Sequence, residues 1–305
     1  MQARGPLSSS GSSADCFVRE KMTPMSILFP AFFAGAVAIL VTVAIEKWGG
    51  RVGGVIGTLP TTIVPAAIGI YGGSPDLGSF QDAMFMTPGG ILLNAGFLLL
   101  WRLLPPRLPD WGLGKRLSAM IFLSLALWFA AAVLAVLSME WVRSRVDGLE
   151  FAGVAFTLGI VICGVLSCIK SPPAPRGTRK VGAVALLSRG VLAAGAIAGA
   201  IWLASAGGAI AAGIASVFPA IFITAMVSLW WSQGEAVQAG AVGPMMLGAA
   251  SVGAFAVFSA WTFPTMGILL GSIVSWFASA AVVTVPAVWW LRSMTAKENK
   301  MKEQG

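Results

Sequence analysis

Ala34-Gly35-Ala36-Val37-Ala38 recurs further along the chain as Ala194-Gly195-Ala196-Ile197-Ala198, and the landmarks behind it recur in the same order. The pair Gly49-Gly50 returns as Gly207-Gly208. A proline interrupts the next apolar run at Pro60 and again at Pro219, and Trp128-Phe129-Ala130 is answered by Trp276-Phe277-Ala278. One such match is chance-level in a chain rich in Ala and Gly, but the ordered series points to a duplicated unit. Five apolar stretches separate the start of the first copy from the start of the second. An odd number of crossings turns the second copy upside down in the bilayer, the inverted-topology arrangement of many secondary transporters.

Composition agrees with a membrane setting. Mean hydropathy is +0.85, 57% of residues are hydrophobic and only 10% are charged, against about 25% charged in a typical soluble domain. Crossing about 30 Å of hydrocarbon at 1.5 Å per residue takes roughly 20 apolar residues. Stretches at 26–45, 52–71, 83–101, 117–138, 150–168, 183–205, 208–230, 236–258 and 265–290 meet that need. The expected architecture is all-α and polytopic, with about nine transmembrane helices as a 4+1+4 inverted repeat. A first four-helix unit covers 26–141, a linking helix and basic loop 142–182, and a second unit 183–291. The junctions near Ala206 and Trp261 are short enough to require tight turns. Residues 1–25, rich in Ser and Gly, read as a disordered tail, and 292–305 as a basic cytoplasmic tail.

The net charge of +8 is explained by where the cations fall. Loops after the first, third, fifth and seventh stretches, with the C-terminal tail, hold most of them, including Lys47, Arg102, Arg116, Lys170, Lys180, Arg292 and Lys297. The other side has Arg4, Arg19, Lys21, Arg143 and Arg145. Retention of Lys and Arg on the cytoplasmic face puts the C-terminus inside and the N-terminus outside. Attraction to anionic lipid accounts for the basic balance without nucleic acid. Trp48, Trp101, Trp111, Trp141, Trp230, Trp231, Trp261, Trp289 and Trp290 fall at stretch ends, the headgroup level that suits indole. Trp128 and Trp276 instead sit mid-stretch, as packing residues or as walls of a central cavity.

The run Gly49-Gly50-Arg51-Val52-Gly53-Gly54-Val55-Ile56-Gly57-Thr58-Leu59-Pro60 resembles the GlpM-like small bacterial membrane proteins. These look like a single four-helix unit whose second helix carries a Gly-rich run ending in proline. The resemblance covers the first unit and, more loosely, the second. It implies a four-helix building block and no particular substrate.

Familiar catalytic equipment is missing from the sequence. There is no histidine, which removes His-ligated zinc and haem and His-based nucleophile triads. No Walker-type G-x-x-x-x-G-K-[ST] run occurs. The expectation is a non-enzyme without cofactor or metal. Cys163 and Cys168, five residues apart, read as inert buried thiols.

The site signal is the pair of proline-interrupted stretches. Proline removes a helical hydrogen bond, and in hydrocarbon the freed groups are tolerated only inside protein or beside a wet cavity. Matching Gly/Pro interruptions in two halves point to a transporter binding site, against the plainer reading of packing kinks. The expected substrate-binding set is Gly57, Pro60, Thr61, Thr62, Ser216, Pro219 and Thr224. Coupling or gating candidates are Gln81, Asp82, Asn94, Arg189, Glu235, Gln238, Trp128 and Trp276. For Asp82 and Glu235 the alternative is stabilisation of a helix N-terminus. For Arg189, about 9 Å inside its stretch, it is snorkelling to the headgroups. The expected function is secondary transport of a small polar or anionic solute by alternating access, with a passive channel or a membrane scaffold as rivals. The expected partners are the lipid bilayer and that solute, and self-association is left open.

Overall fold

The computed structural model describes residues 24–48, 60–146, 148–169 and 182–304. Gly57, with the rest of the Gly-rich approach to Pro60, and the first 23 residues lie outside them. Among the described residues the chain is all-helical. The helices are α1 (Pro24–Trp48), α2 (Ile63–Gly73), α3 (Leu77–Leu103), α4 (Leu113–Arg143), α5 (Glu150–Ile169), α6 (Ala183–Ser205), α7 (Ala209–Ala215), α8 (Ala220–Gln233), α9 (Glu235–Ser279) and α10 (Val285–Gln304).

Among the described residues, six helical stretches are by length and composition fit to cross a membrane: Leu77–Leu103, Leu113–Arg143, Glu150–Ile169, Leu187–Ser205, Ala209–Trp231 and Glu235–Met294. Burial follows the same logic, with large apolar side chains at the surface as well as in the core. Phe122 and Phe151 are 77% and 85% exposed, while Asn94 and Gln238 are 2% and 0% exposed. An apolar surface over an apolar core, with these amides held inside, suits a lipid solvent.

Helix α3 is the axis of the bundle. It packs against α9, α5, α7 and α4 and is buried continuously from Asp82 to Ile91. Small residues permit these approaches. A Cβ on Gly90 would lie 2.8 Å from the Ile214 carbonyl oxygen of α7. Helices α1 and α6, which carry the two copies of the Ala-Gly-Ala motif, pack on one another. A Cβ on Gly35 would lie 2.8 Å from Gly190 O and 3.3 Å from the Ala194 Cβ.

The turn expected near Ala206 is present. Gly207 takes φ +85°, and the Gly208 N–H donates back to Leu203 O at 2.9 Å. The junction expected near Trp261 lies elsewhere: helix continues through Trp261 and is interrupted at Gly267, with φ 76° and ψ 168°. Thr262 Oγ1 and Ser275 Oγ stand 2.7 Å apart, although thirteen residues of straight helix would separate them by about 20 Å. The chain therefore reverses at Gly267, making α9 a hairpin of two limbs. Only glycine is at ease in that backbone region, so the reversal sits at the glycine and not at the aromatic before it.

Other boundaries move for similar local reasons. Helix α3 begins at Leu77, capped by Asp76, whose side chain accepts from Ser79 N at 2.7 Å, so Asp82 is not a terminal residue. Helix α10 runs from Val285 to Gln304, so residues expected to form a separate tail continue a helix. Trp101 and Trp230 are 0% and 3% exposed and pack edge-to-face at 6.0 Å; they are core residues rather than headgroup anchors.

Candidate functional site

The interruption between α7 and α8 is the chemical centre of the interior. Pro219 has no N–H to donate to Ala215 O; Phe218 N takes that carbonyl at 3.0 Å, and the helix restarts at Ala220. The break leaves Val217 O without its helical donor, and Asn94 of α3 supplies one: Nδ2 donates to Val217 O at 2.6 Å. The amide oxygen of Asn94 accepts from Trp128 Nε1 of α4 at 2.8 Å. One buried amide thus ties α3 and α4 to the break between α7 and α8, with its donor and acceptor assigned by its two partners. Beside it, Ser216 Oγ donates to Gly213 O at 2.7 Å and lies 3.5 Å from Thr87 Oγ1. Phe218 closes the cluster against Trp128 and Phe129, at ring separations of 5.4 and 5.8 Å. Asn94 and Trp128 lie near the middles of their helices.

Two ion pairs flank this centre at opposite ends of α4. Arg143, its last residue, holds the carboxylate of Asp82 at 2.7 Å. Arg116, in its first turn, holds Glu235 at 2.9 Å, donates to Pro105 O at 2.7 Å and lies 5.3 Å from the Trp230 ring centroid. Twenty-seven residues of helix separate the two arginines by about 40 Å. The acids they hold stand in the first two turns of α3 and at the start of α9. Glu235 is the first residue of α9, so it serves both the helix N-terminus and the ion pair.

The remaining candidates divide. Gln238 is fully buried; its Nε2 donates to Trp101 O at 2.9 Å and to Met226 Sδ at 3.2 Å, while Oε1 has no partner among the described residues. Gln81 Nε2 donates to Ala260 O at 3.2 Å, joining α3 to α9. Arg189 does not snorkel: it is 7% exposed, and its Nε donates to Thr224 Oγ1 at 3.0 Å. Thr224 in turn donates to Ala220 O at 2.8 Å, so this pair sits one turn into α8. Pro60 is buried, and Thr61 and Thr62 form the turn into α2. Both threonines are half-buried without a hydroxyl partner among the described residues, and Thr62 makes no side-chain cap. Helix α2 packs mainly against α1 and α6 and also meets α9 and α3, where Tyr71 stands edge-on to Phe80 and Phe263. Trp276 is half-buried and meets Phe277 edge-on at 5.1 Å; among the described residues it has no counterpart of the Trp128–Asn94 bond. Thr87 is the member that sequence reading missed. Its signal was present, a hydroxyl one residue before Pro88 in an apolar helix.

Among the described residues no group of His, Cys, Asp and Glu could hold a metal ion. No protein-family model matches the chain, and comparison with curated proteins and with solved structures likewise finds none similar to it.

Proposed function

We propose that this protein is a secondary transporter, moving a small polar solute by alternating access past the break between α7 and α8. The observation that carries the reading is the buried polar break, held by Asn94 and Trp128 and flanked by an ion pair at each end of α4. A solute able to donate a hydrogen bond can replace Asn94 at Val217 O, and the hydroxyls of Ser216 and Thr87 offer further contacts. Release of Arg143 from Asp82 loosens one end of α4, and release of Arg116 from Glu235 loosens the other. A passive channel needs polar groups continuously open to water; here Phe218, Trp128 and Phe129 pack over the centre.

The nine-crossing 4+1+4 inverted repeat belongs to the same proposal. Its support is the reversal at Gly267, the mutual packing of the two Ala-Gly-Ala segments, and paired acids near the starts of α3 and α9. A GlpM-like four-helix unit, duplicated, is the proposed building block. In this arrangement the C-terminus is cytoplasmic and the N-terminus is on the other side, with Arg143 at the outer end of α4 and Arg116 at the inner end. The test is thermal melting of purified protein against a panel of small polar metabolites, since a ligand that binds the folded state raises Tm by mass action. Any hit is then followed by flux into liposomes. A stabilising solute that moves with saturable kinetics supports transport. Stabilisation without flux would leave a binding protein, and flux without saturation a channel.

A further inference from the structure

The two ion pairs on α4 are not built alike. Arg116 is held by the Glu235 carboxylate, by Pro105 O and by the face of Trp230. Among the described residues Arg143 has Asp82 alone. Exposure is uneven as well: the Asp82 side chain is 12% exposed and the Arg143 side chain 40%. A carboxylate offers about four lone-pair sites, yet no hydroxyl, amide or backbone N–H of the described residues reaches those of Asp82. Its negative charge therefore depends on one partly exposed guanidinium.

The surroundings deepen that dependence. Asp76, Glu140 and Glu150 act on Asp82 with like charge. Asp76 is committed to capping α3 at Ser79, Glu140 and Glu150 are exposed, and Arg145 lies over the Trp141 ring at 3.7 Å. The other elements packed on α3 bring no charge to this end. Helices α2, α7 and α8 carry none, the charge of α9 is Glu235 at the far pair, and Arg189 of α6 is bonded to Thr224. Parting Arg143 from an ionised Asp82 leaves a buried charge uncompensated, whereas parting it from the neutral acid does not. A proton on Asp82 thus frees the end of α4, while a proton on Glu235 still leaves Arg116 its carbonyl and its indole.

We propose that Asp82 is a proton-binding site that works the gate at the Arg143 end of α4. A proton taken from the adjoining aqueous face onto the Asp82 carboxylate neutralises it, and Arg143 leaves with its own charge unchanged. The way to the break between α7 and α8 then opens, and loss of the proton to the same face restores the pair. This inference rests on the transport reading and names the ligand that operates one of its two gates.

The gate is read with Ser216→Cys in the full chain lacking Cys16, Cys163 and Cys168, reconstituted in sealed vesicles. A membrane-impermeant maleimide is applied from the Arg143 face between about pH 8 and about pH 4, which covers the spread of protein carboxylates. Rates are divided by those of Ser144→Cys, exposed at the same end, which removes the thiol's own pH dependence. The normalised rate should climb by up to about tenfold per pH unit of acidification, the limit for one proton. Asp82→Asn should label fast at every pH. Glu140→Gln should move the climb to lower pH by removing a like charge, and it reads the same question should Asp82→Asn fail to fold. A rate flat with pH overturns the proposal, as does a climb that survives in Asp82→Asn or one that Glu140→Gln leaves in place. A flat rate with one-sided opening in Asp82→Asn sinks the proton site and leaves the transport reading standing; labelling from both faces at one pH removes both.

Discussion

Replacing Asn94 with leucine removes both hydrogen bonds that close the break, the 2.6 Å bond to Val217 O and the 2.8 Å bond from Trp128 Nε1. The side chain is 2% exposed, so water does not readily take over either partner. A buried group left unsatisfied costs about 1–3 kcal/mol, giving an upper range of about 2–6 kcal/mol for the two. Side-chain bonds measured inside membrane proteins average about 0.6 and reach about 1.7 kcal/mol, because the unfolded chain in lipid also finds partners. A net loss of about 2–3 kcal/mol reconciles these ranges. Trp128→Phe removes one bond and should cost about half as much. The double variant should cost less than the sum of the singles, since the indole bond can be lost only once. Equilibrium unfolding in mixed detergent micelles, monitored by tryptophan fluorescence, measures all three. A loss below about 0.5 kcal/mol for Asn94→Leu, the range of neutral surface changes, would refute Asn94 as the tie across the break.

The same apparatus reads the neighbouring features. Gly267→Ala should cost about 1–3 kcal/mol from backbone strain alone, since nothing lies within 4 Å of a Cβ there. Gly267→Asn should cost as much, because a φ of 76° with ψ of 168° is outside the left-handed helical region that asparagine tolerates. Thr224→Val should cost about 1.5–3 kcal/mol by removing a hydroxyl bonded to the Arg189 guanidinium, with Arg189→Lys failing to substitute for lack of an Nε donor. Pro219→Ala restores an amide that can donate to Ala215 O. It should raise amide-exchange protection across residues 217–221 and, under the proposed transport, slow interconversion between access states.

Much of the scaffold was legible in the residues, for reasons that mark the limit of such reading. Hydropathy alone locates helices because crossing lipid requires a long apolar run. Gly207-Gly208 and Pro219 announce a turn and a break because their backbone chemistry is local. The junction after α9's first limb was misplaced because Trp261, Thr262 and Phe263 suit a helix as well as a turn. Only the backbone angles at Gly267 decide it. Arg189 was legible as a cation inside an apolar run, but its partner Thr224 was not, since the pairing depends on how α6 meets α8. The same holds for Arg116 with Glu235, 119 residues apart, and for Asn94 with Val217. Asn94 was singled out as a polar residue in an apolar helix, yet its task of closing a distant break becomes visible only once α7 lies against α3.

The proposal of alternating access is tested most directly by asking from which side the break can be reached. Ser216→Cys is placed in a chain lacking Cys16, Cys163 and Cys168, and a membrane-impermeant maleimide is applied to either face of sealed vesicles. With both ion pairs intact the thiol should be protected, as Ser216 is 6% exposed. Asp82→Asn, which frees Arg143, should admit the reagent only from the Arg143 end of α4. Glu235→Gln, which frees Arg116, should admit it only from the opposite end. Labelling from both faces in a single variant, or from neither face in both, would contradict alternating access through this site.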